Sequence, residues 1–176
     1  QDMVFHAEIH GSPFFLIKNI GHSVEDMTTN HQSIIETAIA TVSFSRGWKE
    51  GLSSADAYWV YPYQVKKGAP TGQFLPKGSF VIEGKRNFVK ALELKLSIGV
   101  TKDNDNYKLI CGPPDSIKLK SIIYSIIVPG SIDPMNAAKK IKSELYEIVS
   151  YHSGKEVKRI ETDFDRDHWM TAIEAK

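Results

Sequence analysis

Across residues 92 to 98, apolar and polar side chains alternate: Leu92, Leu94, Leu96 and Ile98 against Glu93, Lys95 and Ser97. A period of two sends one set to each face of an extended chain, so the run predicts a half-buried strand. Such a strand is stable only beside others, with its apolar face on a core. Lys102 to Asn106 reads as a turn, and Tyr107 to Cys111 is expected to pair back as a hairpin until Gly112-Pro113-Pro114 breaks it.

The rest of the chain fits around that sheet. Val4 to Ile9 and Phe14 to Lys18 read as strands joined by the turn Gly11-Ser12-Pro13. Ile34, Ile35, Ala38, Ile39 and Val42 recur at helical spacing, with Thr28, Thr29 or Asn30 as caps, Gly47 fraying the last turn and Gly51 past the end. Ala57 to Tyr61 is an aromatic strand stopped by Pro62, residues 68 to 79 form a Gly/Pro-rich ordered loop, and Phe80 to Ile82 is a strand ended by Gly84. Ile122 to Val128 is another strand. Asp133 followed by Pro134 starts a helix, because a carboxylate accepts the first free N–H groups and proline tolerates the first helical position. Its expected buried face is Ala138, Ile141, Leu145 and Ile148, with Gly154 past its end. Residues 155 to 160 read as a short strand and 165 to 175 as a weak helix. Strict βαβ alternation is missing, so the expected class is α+β, a largely antiparallel sheet with two or three packed helices.

No run approaches the roughly 20 apolar residues that span a bilayer, so no membrane is expected. The single cysteine, Cys111, cannot form an internal disulfide and reads as a small buried hydrophobe. The chain opens at Gln1, directly on a strand pattern, which suggests a piece of a longer polypeptide. The net charge of +1 hides an uneven distribution. Residues 1 to 45 hold one basic and five acidic residues, residues 46 to 90 hold eight basic and three acidic, and the remainder is balanced. Phosphate binding needs one basic face rather than a basic total.

Several patterns can be set aside. Five residues separate Gly78 from Gly84, and Arg86 follows Lys85, where a nucleotide-binding P-loop has four and then Ser or Thr. No cofactor is expected. His6 and His10 share a strand face at about 13 Å, too far apart for one metal unless the Gly11 turn bends His10 back. Asp163, Asp165 and Asp167 lack the glycine and distal glutamate of a calcium loop. What remains is basic and aromatic: Tyr58, Trp59, Tyr61 and Tyr63 lead into Lys66 and Lys67, and Lys77 and Gly84-Lys85-Arg86-Asn87-Phe88 follow. Aromatic faces stack bases and cations hold phosphates. Folding back the intervening loop is expected to bring Lys66, Lys67, Lys77, Lys85 and Arg86 to one face.

The run from Ser54 through Ala57-Tyr58-Trp59-Val60-Tyr61-Pro62-Tyr63-Gln64 to Lys67, continued by Ala69-Pro70-Thr71-Gly72-Gln73-Phe74 and by Gly84-Lys85-Arg86-Asn87-Phe88, resembles the signature of the NFACT-R domain. Phe5-His6-Ala7, Gly11-Ser12 and Ser45-Arg46-Gly47-Trp48 fit the same pattern. The resemblance implies an RNA-binding module over 1–112, without the strand pair that usually opens it, and a C-terminal α/β extension packed on it over 113–176. Pro13 stands where many relatives carry histidine, so no role for that histidine transfers. Members of the family bind large ribosomal subunits carrying an obstructed nascent chain, together with tRNA, and support untemplated tailing of that chain from a separate domain, NFACT-N. By resemblance, then, this chain is expected to be a cytoplasmic, non-enzymatic module binding rRNA or tRNA and the large ribosomal subunit. The residues expected at the RNA are Lys66, Lys67, Lys77, Lys85, Arg86, Asn87, Tyr61, Tyr63 and His6, with no catalytic residue and no metal. Two other readings stand beside it: a protein-docking module using Tyr61, Tyr63 and Phe74, and a metal-dependent hydrolase using His6, His10 and His22.

Overall fold

The computed structural model describes residues 2–9, 11–18, 31–67, 80–103 and 106–166. The chain divides into two units: Gln1–Leu96 with Gly112–Ser116 and Ile127–Pro129, and Ser97–Cys111 with Ile117–Ile126 and Gly130–Lys176.

In the first unit, strands β1 (Met3–Ala7), β2 (Phe15–Ile17), β3 (Ser54–Val60) and β6 (Asn87–Glu93) form an antiparallel sheet in the order β2-β1-β3-β6. The hairpin expected at Gly11-Ser12-Pro13 is present. Gly11 takes φ +75° there, and the Ser12 hydroxyl accepts the Ala7 N–H at 3.0 Å. Register sets the faces: Phe5 lies opposite both Phe15 and Trp59, and Trp59 opposite Asn87, so these four share one face. Helix α1 (His31–Ser43) covers that face with Ile34, Ala38 and Val42 packed among Met3, Phe5 and Ala7. The caps expected at Thr28, Thr29 and Asn30 lie outside the described residues. Across the sheet, the two-stranded ribbon of β4 (Val65–Lys66) and β5 (Val81–Ile82) sets Val65 and Ile82 against Val4, Tyr58 and Val60. The loop expected at 68 to 79 lies outside the described residues. Gly47 does not fray α1. It is buried in a separate 3-10 turn (Arg46–Trp48), where an added Cβ would sit 2.8 Å from Leu94 Cδ2.

The alternating run is two strands rather than one. β6 ends at Glu93 and β7 (Leu96–Asp103) begins three residues later. Between them the backbone leaves the strand ladder: Leu94 N–H donates to Ser53 O at 2.9 Å and Lys95 N–H to the Ser43 hydroxyl at 3.0 Å. Leu92 and Leu94 join the first core, whereas Leu96 and Ile98 are only half-buried. Ser97, expected on the wet face, is fully buried. The reason is that β7 is covered on both faces. Ile98 and Val100 enter the second unit's core, while on the other side a Cβ on Gly99 would meet Ile117 and Ser121 at 2.7 Å.

The second unit holds a three-stranded sheet in the order β8-β7-β9, with β8 at Asn106–Gly112 and β9 at Ile123–Ile127. The return strand expected at Tyr107 to Cys111 and the strand expected at Ile122 to Val128 are both there, but the arm that β8 pairs with begins at Leu96 rather than Leu92, and residues 104 and 105 of the expected turn lie outside the described residues. Helix α2 (Pro114–Lys120) is one that the reading of Pro113-Pro114 as a plain break omitted; Pro114 and Asp115 occupy its first turn, where both are favoured. Helix α3 (Pro134–Ser153) starts as expected, with Asp133 Oδ1 accepting from Met135 N and Asn136 N at 3.0 and 3.1 Å and Gly154 at φ +67° closing its end. Of its expected buried face, Leu145 is buried and Ile141 packs against the same core, Ile148 is half-buried beside the buried Tyr146 and Val149, and Ala138 is exposed because it lies about two turns ahead of Leu145. Residues 155 to 160 are not a strand. Val157, Ile160 and Phe164 recur at helical spacing in α4 (Val157–Arg166), which packs on α3 through the Tyr146–Phe164 ring pair at 5.4 Å. Most of the helix expected at 165 to 175 lies outside the described residues. Cys111 is exposed rather than buried. The class is α+β with antiparallel sheets, as expected. Among the described residues no helix is long and apolar enough to cross a membrane.

Candidate functional site

β3 stops at Val60 because Pro62 has no N–H for the ladder and is suited to the first position of the 3-10 turn Pro62–Gln64. The turn brings Tyr61 and Tyr63 to the same side. Their rings stack 15° from parallel with centroids 5.7 Å apart, and Trp59 meets Tyr61 edge-on at 5.5 Å. Tyr63 is 63% exposed, so the ladder of three rings ends at an open face.

Gln64 fixes what lies opposite. Its side chain is buried, accepts the Tyr61 N–H through Oε1 at 2.9 Å, and donates through Nε2 to the carbonyls of Glu83 at 2.7 Å and Lys85 at 3.0 Å. Glu83 N–H in turn donates to Gln64 O at 2.9 Å. Between those two carbonyls Gly84 takes φ +81°, and a Cβ there would approach Gln64 Nε2 to 3.1 Å. A single buried amide thus ties the aromatic turn to the segment that carries Lys85.

Between these walls is a cleft of about 540 Å³, floored by Trp59, Tyr61 and Tyr63 and flanked by Lys66, Lys85 and Asn87. Glu83 adds one carboxylate to the two ammonium groups. Asn87 Nδ2 donates to Trp59 O at 3.3 Å. Such a cleft can hold an anion on flexible point charges and a flat ring on the tyrosines.

Of the residues singled out in the sequence, Lys66, Lys85, Asn87, Tyr61 and Tyr63 come together in the cleft. Lys67 is exposed just past β4 and does not line it, and Lys77 lies outside the described residues. Arg86 and His6 gather elsewhere. Neighbouring side chains on an extended segment point to opposite faces, so Arg86 turns away from Lys85 and Asn87. Its guanidinium lies 4.8 Å from the Tyr58 ring centroid and pairs with Glu8 at 2.8 Å. His6 lies opposite Tyr58 in the register, 3.5 Å from the Tyr58 hydroxyl, and packs on Phe14 with ring centroids 4.7 Å apart. Burial holds the His6 imidazole below its ordinary 6.5, and Arg86 pushes the same way against the backbone groups of Ala7 and Ser12. Burial also raises Tyr58, helped by Glu8 and opposed by Arg86.

His10, His22 and Phe74 lie outside the described residues. Among the described residues no group of three His, Cys, Asp or Glu side chains is placed to hold a metal ion. The residue that the sequence reading missed is Gln64. Its signal is a glutamine three positions after the residue that caps the turn, the spacing at which a side chain reaches back to that N–H.

A sequence profile described as NFACT protein RNA binding domain matches residues 1–84, and one described as Clp protease matches residues 133–176. The chain is similar to the archaeal Rqc2 homolog aRqcH of Methanocaldococcus jannaschii, with 36% identity over 142 residues, 81% of this chain and 20% of that protein. It is similar to the human ribosome quality control complex subunit NEMF, with 37% identity over 89 residues, 50% of this chain and 8% of the relative. A third similarity, to an ATP-dependent Clp protease proteolytic subunit of Porphyromonas gingivalis, reaches 61% identity over 36 residues, 20% of this chain and 16% of the relative. This chain therefore spans a fifth or less of each of these relatives. No solved structure matches.

Proposed function

We infer a function from the premise that this chain belongs, through residues 1–84, to the family of NFACT protein RNA-binding domains. The chain is a non-enzymatic module that binds rRNA or tRNA, and it serves a cytoplasmic ribosome quality-control protein on the large ribosomal subunit. The observation that carries this reading is the meeting of Lys66 and Lys85 with the Trp59–Tyr61–Tyr63 ladder in one cleft, on the segment that the family profile covers and its immediate continuation. The human relative's name supports the quality-control setting. Arg86 is left out of the RNA contact, because Glu8 and Tyr58 already engage it on the other face of the sheet. The region over 113–176 is read as a C-terminal extension of the module. Its similarity to the Clp subunit covers 36 residues, 16% of that relative, and the RNA-binding reading draws nothing from it.

The test is a salt titration of wild-type and Lys66→Ala/Lys85→Ala protein against tRNA and ribosomal RNA. The variant is expected to bind more weakly, with a log-log salt slope lower by about 1.4 to 1.8, since each lost phosphate contact removes roughly 0.7 to 0.9. Equal slopes and equal affinities would remove the cleft from RNA binding and leave the protein-docking reading in front.

A further inference from the structure

We infer that the cleft takes an unpaired nucleotide, with its base stacked on Tyr63 and its phosphate on Lys66 and Lys85, so that the module selects single-stranded RNA segments over duplex. This rests on the RNA-binding reading above and specifies the ligand of the same site.

Three observations lead there. The first is the ladder itself. Tyr61 and Tyr63 already stack like neighbouring bases, 15° from parallel, and the outer ring is 63% exposed. A further flat ring extends the stack, and every base has the face to do so. In a duplex those faces are already stacked on neighbouring pairs, so only an unpaired base can use Tyr63. The second is the shape. A local cleft of about 540 Å³, open to solvent beside Tyr63, is of a size for one splayed-out group, whereas duplex RNA is read by shape across a wide, shallow groove. The third is the pairing of chemistries on the walls. Glu83 and Asn87 offer hydrogen-bonding groups for a base edge, which a duplex keeps engaged in pairing, while Lys66 and Lys85 supply charge for the backbone. The Gln64 clamp holds both walls before any ligand arrives, so little ordering is needed on binding.

The experiment titrates the full 176-residue chain with a labelled single-stranded RNA and with the same strand annealed to its complement. Wild type is expected to favour the single strand. Tyr63→Ala is expected to lose roughly 5- to 150-fold in single-strand affinity, the equivalent of ~1–3 kcal/mol for one stacked base, with the salt slope unchanged. Tyr63→Phe keeps the ring and is expected to keep the affinity. If wild type binds both forms equally and Tyr63→Ala matches it, while Lys66→Ala/Lys85→Ala weakens both, the unpaired-nucleotide inference fails and the RNA-binding reading stands. If wild type binds neither form, the RNA-binding reading itself fails. Tyr63 projects into solvent, so loss of folding does not confuse the comparison.

Discussion

His6 shows how one side chain's surroundings become a measurable property. Phe14 and Tyr58 enclose its ring, and burial together with the Arg86 charge disfavours the imidazolium. The unfolded chain therefore binds a proton more readily than the folded one. Stability from this residue is complete above the unfolded value of 6.5 and declines as pH falls below it. The melting temperature is expected to fall between pH 7 and 5, and His6→Gln is expected to flatten that decline. An identical decline in the variant would remove His6 as its source. Gly47 makes a complementary point through sterics. A methyl there meets Leu94 Cδ2 at 2.8 Å in a packed core, so Gly47→Ala is expected to destabilise the first unit by about 1–3 kcal/mol, read by denaturant melts.

At the scale of the element, β3 and β6 show how a strand pair absorbs an extra residue. The register steps between Ala55–Leu92 and Ala57–Val89, so Lys90 and Ala91 together face Asp56. Ala91 takes φ +54°, a left-handed conformation costly for a residue with a Cβ, and its N–H is held by Asp56 Oδ1 at 2.8 Å. Asp56→Ala is expected to lower the melting temperature, and Ala91→Gly, which relieves the strained angle, to raise it or leave it level. A marked loss with Ala91→Gly would show that the bulge is not under strain. The start of α3 is simpler. Asp133 satisfies two of the free N–H groups there, so Asp133→Ala is expected to cost ~0.5–2 kcal/mol in chemical denaturation.

At the scale of the whole molecule, each unit has its own buried cluster, and every residue lining the cleft belongs to the first. Leu94→Ala and Ile160→Ala each empty a fully packed position, 1% exposed in both cases, and each is expected to cost roughly 2–5 kcal/mol. Their functional effects are expected to separate. Below the melting transition, Ile160→Ala should bind RNA as wild type does, since its neighbours Val100, Leu145, Tyr146 and Val149 belong to the second unit and the residues of the cleft to the first. RNA affinity lost in folded Ile160→Ala protein would instead assign part of the binding to the second unit.

Local chemistry in the sequence determined the pieces that depend on near neighbours. The Gly11 turn, the proline that stops β3 and the Asp133 cap are decided by backbone groups a few residues away, and they are found where the sequence puts them. The composition of the cleft was legible too, since Tyr61, Tyr63, Lys66, Lys85 and Asn87 stood out as a basic and aromatic set. What only the tertiary structure decided is which of that set meet. Lys85 and Arg86 are adjacent in sequence and equal in charge, yet an extended backbone turns them to opposite faces, and Glu8 and Tyr58, distant in the chain, claim the arginine. The break between Leu94 and Leu96 was hidden for the same reason. A period of two reports a strand with one wet face, and it fails where helix packing against Gly99 buries the second face and the Ser43 hydroxyl, 52 positions away, takes the Lys95 N–H.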